Sequence, residues 1–178
     1  MTITITPIKM TQEQANWCYD VAKTYLEQSD LASFIIEELE AIDELLTIEV
    51  STSSDDGWAP PDDDDDDSAG TIEWNVTQTL DVVDKKDDRP DVNWTSKIDA
   101  DVVATISPAL ALIHELGHAM QFMTNKQAFR DRLANLDDED VLLDIENTNV
   151  NAIENTVALE LIEKGNHEGV RWDYHATK

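Results

Sequence analysis

Apolar residues recur along this chain with two periods, and the switches between them mark out its elements. Residues 2–9 alternate Thr with Ile, the two-residue period of a short strand. From Thr11 to about Gln28 the apolar positions Ala15, Trp17, Cys18, Val21, Ala22 and Tyr25 fall at helical spacing. Ser29 or Asp30 can cap a second helix, Leu31 to about Leu45, whose polar face carries Glu37, Glu38 and Glu44. Leu46 to Val50 reads as a strand. Residues 51–70 form a polar loop with Pro60-Pro61 and the run Asp62 to Asp67; that run lacks the alternating spacing of an EF-hand and reads as a self-repelling, solvated loop. Thr71 to Thr77 alternates cleanly, with Ile72, Trp74 and Val76 on one face. After a charged, exposed connection from Asp84 to Trp94, Val102 to Ile106 is a short strand or an apolar entry to the next helix. Further helices are predicted over Gln127–Leu136, over Asp138–Glu146 and over Asn151–Lys164, where Gly165 provides the stop. The chain shows no strand–helix–strand repeats of the parallel-sheet type and no internal duplication. The pattern predicts an α+β fold, dominated by helices, with a small mixed sheet.

Between these elements lies Ser107-Pro-Ala-Leu-Ala-Leu-Ile-His-Glu-Leu-Gly-His-Ala-Met-Gln121. Ser107 is a good N-cap and Pro108 suits the first helical position. Ala109, Leu112, Ile113, Leu116, Ala119, Met120 and Met123 gather on one side of the helical wheel, and Leu110, Ala111, His114, Gly117, His118 and Gln121 on the other. The segment contains the HExxH pattern His114-Glu115-Leu116-Gly117-His118. Residues four apart on a helix differ by about 40° in direction, so both imidazoles can reach one zinc ion. Glu115 points about 100° away from His114, where an attacking water would need its base. In a chain of this composition, chance matches to the pattern number on the order of 0.01, so coincidence is a poor explanation. Gly117 costs about 1 kcal/mol of helix propensity against alanine, which close approach of another segment would explain.

Composition narrows the setting. The chain has 178 residues, 41% of them hydrophobic, enough for one folded domain with its own core. Thirty-nine acidic residues against 12 basic ones leave a net charge of −27. That balance argues against nucleic acid and against an anionic membrane as partners, and it permits a cationic protein partner or adaptation to salt. Cys18 is the only cysteine, which excludes an intrachain disulfide and a thiolate metal cluster. The first ten residues do not form a Sec signal and no apolar run approaches a membrane span, so the expectation is cytoplasmic synthesis, with export through another route left open.

A catalytic zinc site usually takes three protein ligands. The extended pattern HExxHxxGxxH fails, because Gln121 and Thr124 occupy the required positions. His167 and His175 remain, as do Glu146, Glu154, Glu160 and Glu163. Glu154 shares a helix side with Val157, Ala158 and Leu161 and should point inward, although Asn151-x-x-Glu154 also matches a capping box. The Ser107-Pro108 entry, the HELGHA core, Glu154-Asn155 and Arg171-Trp-Asp-Tyr174 resemble the NleD-type effector zinc metallopeptidases of bacteria, over roughly residues 70–178. The resemblance implies a zincin-like fold, proteolysis, and delivery into another cell. It favours Glu154 over Glu146 as the third ligand and brings Arg171 and Tyr174 toward the site.

The expected activity is that of a zinc endopeptidase acting on a protein or peptide, with Zn²⁺ on His114, His118 and Glu154. Glu115 would be the general base, and Tyr174, or else Arg171, the donor to the oxyanion. The strand Thr71–Thr77, with Trp74 at its centre, would pair with the substrate as an edge strand. The expected organisation is a single domain: a helical N-terminal part over 1–50, an acidic loop over 51–70 and a catalytic part over 71–178. Two other classes fit some of the same residues. An acidic interaction protein, such as a nucleic-acid mimic, accounts for the charge but not the helix; a zinc-stabilised domain without catalysis would close its shell with a fourth ligand, from His167 or His175.

Overall fold

Residues 2–62, 67–84, 102–134 and 139–171 are described by the computed structural model. The chain opens with strand β1 (Thr2–Pro7) and two helices, α1 (Gln12–Leu26) and α2 (Asp30–Ala41). Thr11 caps α1 through a reciprocal capping box with Gln14, and Ser29 caps α2 by accepting from the Ala32 N–H at 3.0 Å. Helix α2 ends at Ala41, earlier than its apolar pattern suggests, because Leu45 already belongs to the next strand.

That strand, β2 (Leu45–Ser51), is followed by β3 (Gly57–Ala59) and β4 (Ser68–Asn75). The four strands form one mixed sheet in the order β1-β2-β4-β3. β1, β2 and β4 are parallel, in a register that sets Ile5 beside Ile48 and Ile48 beside Ile72; only β3 runs antiparallel, on the outside. The β1–α1–α2–β2 unit is thus a parallel crossover, which corrects the expectation that no such unit is present. Two intervening helices, rather than one, blur the repeat. β4 is an interior strand, so the expected edge strand over 71–77 is corrected to β3. This three-residue strand, followed by Pro60-Pro61, is too short to show a period.

A hairpin of β5 (Leu80–Asp84) and β6 (Val102–Ile106) leads into α3 (Pro108–Thr124). Ser107 caps α3 and Pro108 takes its first turn, as the sequence predicts. The helix packs on β4 and also touches α1 and α2. Ten of its residues are buried, including both histidines and Glu115, so the two-sided wheel understates how enclosed it is. Its N-terminus is pinned by Glu168, which accepts from Ser107 N–H (3.1 Å), Ser107 Oγ (2.7 Å) and Tyr25 OH (2.6 Å).

Two helices, α4 (Lys126–Leu133) and α5 (Glu139–Asn149), follow. A π turn (Val150–Glu154) then joins α5 to α6 (Asn155–Glu163) without a break. The two separate helices predicted over 138–146 and 151–164 are therefore one bent helix. Asn151 lies within the π turn and caps nothing; its amide donates to the Asn147 carbonyl at 2.8 Å. Gly165, at φ +93°, ends α6 as predicted, where the turn needs a left-handed residue. The main apolar core runs from Ala15 on α1 to Val170 near the end of the described chain, and a smaller cluster gathers Phe122, Phe129 and Ile145. No helix among the described residues is long and apolar enough to cross a membrane.

Candidate metal centre

His114 and His118 project from the middle of α3, as the motif requires, and a third side chain from α5 meets them. It is Glu146. Its Oε2 lies 3.1 Å from His114 Nε2 and 3.3 Å from His118 Nε2, and the two imidazole nitrogens are 3.2 Å apart. Among the described residues, these three form the group whose donor atoms converge closely enough to hold a metal ion. All three are in position before any ion is considered, and all are buried or nearly so. A tetrahedral zinc with bonds of about 2.0–2.1 Å needs ligand atoms about 3.3–3.4 Å apart, so the triangle has the right size.

Glu154, the expected third ligand, takes another place. Its Oε2 sits 2.8 Å from Nδ1 of His114, behind the ring, and Arg171 grips both of its oxygens, with Nε 2.8 Å from Oε1 and Nη2 2.7 Å from Oε2. The pairing turns Nδ1 of His114 toward Glu154 and Nε2 toward Glu146, so a metal in the triangle would replace the proton on Nε2 while Glu154 keeps the one on Nδ1. Arg171 is held in turn by Asn155, whose amide donates to the Arg171 carbonyl and whose Oδ1 accepts from its N–H at 3.1 Å. The guanidinium is buried, so Arg171 is a clamp on Glu154 and not the substrate-binding group it was expected to be.

The bend explains how both glutamates reach one histidine. Eight residues along a regular α-helix separate two side chains by about 80°, but one extra residue in a π turn cuts this to about 20°. Glu146 and Glu154 therefore stack on one face, on either side of the His114 ring. Asn149 lies between them in sequence and is fully buried. It donates to the His114 carbonyl at 2.6 Å and accepts from Gln121 at 3.0 Å. A Cβ on Gly117 would lie 2.3 Å from Asn149 Oδ1 and 2.7 Å from Ile153 Cδ1. The close approach inferred from Gly117 is thus that of the bent helix carrying Glu146.

The charges are strongly coupled. Burial by itself would depress the His114 imidazole, but its hydrogen bonds with Glu146 and Glu154 prevail and raise it to about 10. Burial likewise pushes Glu146 upward, and the bonds from the two imidazoles overcome it, down to about 2. Glu154 is lowered against its own burial, first by His114 and then by Arg171. Glu115 is raised by burial, although the neighbouring imidazoles oppose this. A carboxylate facing two imidazole nitrogens at hydrogen-bond distance is a cradle for a cation, whether a proton or a metal.

On its open side the centre gives onto a cleft of about 460 Å³, bordered by Glu115, His118 and Glu146 and by Asp56, Trp58 and Phe129. Trp58 on β3 stacks over His118, with ring centroids 6.3 Å apart and planes inclined by 23°. Asp56 accepts from the Asn75 N–H at 2.6 Å; burial, opposed by that bond and helped by the charge of Glu115, raises it to about 6. Neither residue was singled out from the sequence, since both sit in a stretch that reads as loop.

The remaining expected site residues lie elsewhere. Trp74 is buried in the core and donates to the Pro108 carbonyl at 2.8 Å, so it fastens α3 to β4 and is corrected from substrate contact to scaffold. His167 is exposed, and Glu160 accepts from Ser29 Oγ (2.5 Å) and Leu31 N–H (3.1 Å) at the start of α2. Tyr174 and His175 lie outside the described residues, as do most of the acidic run and the connection over 85–101. Comparisons of the chain with protein-family models, with curated proteins and with solved structures find no match.

Proposed function

We propose that this protein is a zinc-dependent endopeptidase. The observation that carries the reading is that Glu115 and two members of the His114–His118–Glu146 triangle, His118 and Glu146, border one cleft. Three nitrogen and oxygen donors beside an accessible cavity suit a catalytic zinc better than a closed structural one. Zinc held there would supply Lewis acidity to a water and to the scissile carbonyl. Glu115 takes the proton of the attacking water and returns it to the departing amine; its raised affinity for protons suits both transfers. Glu154 and Arg171 keep His114 in one tautomer, and β3, at the margin of the sheet beside α3, offers backbone along which an extended peptide can lie. An outer antiparallel strand next to the HExxH helix is also what a zincin-like fold would have.

The test combines metal analysis with turnover. Purified protein is expected to bind about one zinc per chain and to cleave an unfolded protein substrate. Glu115→Gln should retain the zinc and lose about 10²–10⁴ in rate. A zinc-loaded Glu115→Gln protein with full activity would refute the assignment of the base.

A further inference from the structure

The cleft has a wall that neither metal binding nor proton transfer uses. Trp58 from β3, Phe129 and Leu133 from α4, and Leu142 and Ile145 from α5 line it, next to His118 and Glu146. A strand and two consecutive helices, distant from it in sequence, thus bring apolar groups to one side of the centre. The wall is firmly built. Trp58 Nε1 donates to the Ala69 carbonyl at 3.1 Å, and its ring meets Phe129 edge-on at 5.6 Å and Phe122 at 5.5 Å. Leu142, at the mouth, keeps 39% of its surface exposed, among the few large apolar side chains left open to solvent.

We infer that this wall is a specificity subsite, which takes a bulky apolar side chain, leucine or phenylalanine in size, from the residue next to the scissile bond. The inference rests on the peptidase reading. Its occupant follows from the lining. Asp56, Glu115 and Glu146 border the same cleft, so an acidic side chain meets like charge. A small polar one would lose water against Phe129, Leu133 and Ile145 without gaining a partner. Only an apolar group of some size removes the exposed face of Leu142 and the edge of Trp58 from water while leaving the carboxylates solvated.

Two measurements on the zinc-loaded full chain test this. Cleavage sites in a digest of an unfolded protein, read by mass spectrometry, should be enriched in leucine, methionine or phenylalanine at one position beside the cut, and at least about 10-fold depleted in aspartate and alanine there. Independently, a hydroxamate bearing a benzyl or isobutyl group should bind at least about 10-fold more tightly than acetohydroxamate, and Leu142→Glu should abolish that difference with zinc content unchanged. Leu142→Ala, a milder change at a half-open position, should reduce it by a smaller factor. Cleavage without apolar preference, or equal affinity for the two kinds of hydroxamate, overturns the subsite and leaves the peptidase reading standing. Apolar-selective hydroxamate binding with no cleavage of any substrate overturns the peptidase reading and upholds the selectivity of the wall.

Discussion

The two sides of the His114 ring are furnished by the same bent helix and differ in one respect. Behind the ring, Glu154 is 1% exposed and matched by cations: the Arg171 guanidinium takes both its oxygens, and the imidazole faces one of them. In front, Glu146 pairs with the two imidazoles, 3.1 and 3.3 Å away, and borders the cleft. A buried carboxylate already neutralised by arginine gains little from a metal, whereas one set against two imidazoles needs a cation to hold the three together. Inwardness alone does not identify a ligand. What matters is which carboxylate is paired only with imidazoles, whose proton a metal can replace, and not with a permanent cation.

The largest effect is expected at Glu146. Glu146→Ala should lower zinc affinity by more than the about 10–100-fold expected for Glu154→Gln, which removes only support from behind the ring. Competition with a chromophoric chelator measures both, and the reverse order would exchange the roles of the two glutamates. Arg171 comes next. Arg171→Leu leaves Glu154 buried with only the His114 imidazole to offset its charge and should cost up to about 3–5 kcal/mol of stability, read by urea denaturation of the metal-free protein.

Protons sharpen the same contrast. In the metal-free protein His114 retains its proton up to about pH 10, because Glu146 and Glu154 stabilise the imidazolium more than burial opposes it. A metal ion must displace that proton. Below pH 10, binding should therefore release about one proton, and apparent affinity should rise with pH by up to about tenfold per unit. Calorimetry in buffers of different ionisation enthalpy gives the number released. The smallest effect is expected at Gly117, where alanine would press on Asn149 and Ile153 and should cost about 1–3 kcal/mol, seen as a lower urea midpoint.

Much of the centre was legible from local pattern. His114, Glu115 and His118 stand at fixed helical spacing, Ser107-Pro108 marks where that helix starts, and Gly117 signals a close neighbour. The third member was not, for a specific reason. Glu-Asn-Thr occurs twice, at 146–148 and at 154–156, and a regular helix could present only one of the two glutamates to His114. A π turn is a tertiary compromise with no clear sequence signature, so the choice between them could not be read from spacing. The sheet shows the same limit. Alternation in Thr71–Thr77 correctly indicated a strand, but which strands flank it depends on long-range pairing, and its outer neighbour, Gly57–Ala59, is hidden between serines, aspartates and prolines. Trp58 and Asp56 went unnoticed with it.

The central claim is that a metal ion sits among His114, His118 and Glu146 while Glu154 stays outside its coordination shell. Anomalous scattering from crystals of the zinc-loaded protein tests this directly. The expected result is a single strong peak, about 2.0–2.1 Å from the three donor atoms and open toward the cleft. A peak coordinated by Glu154, or none between the two imidazoles, would contradict it.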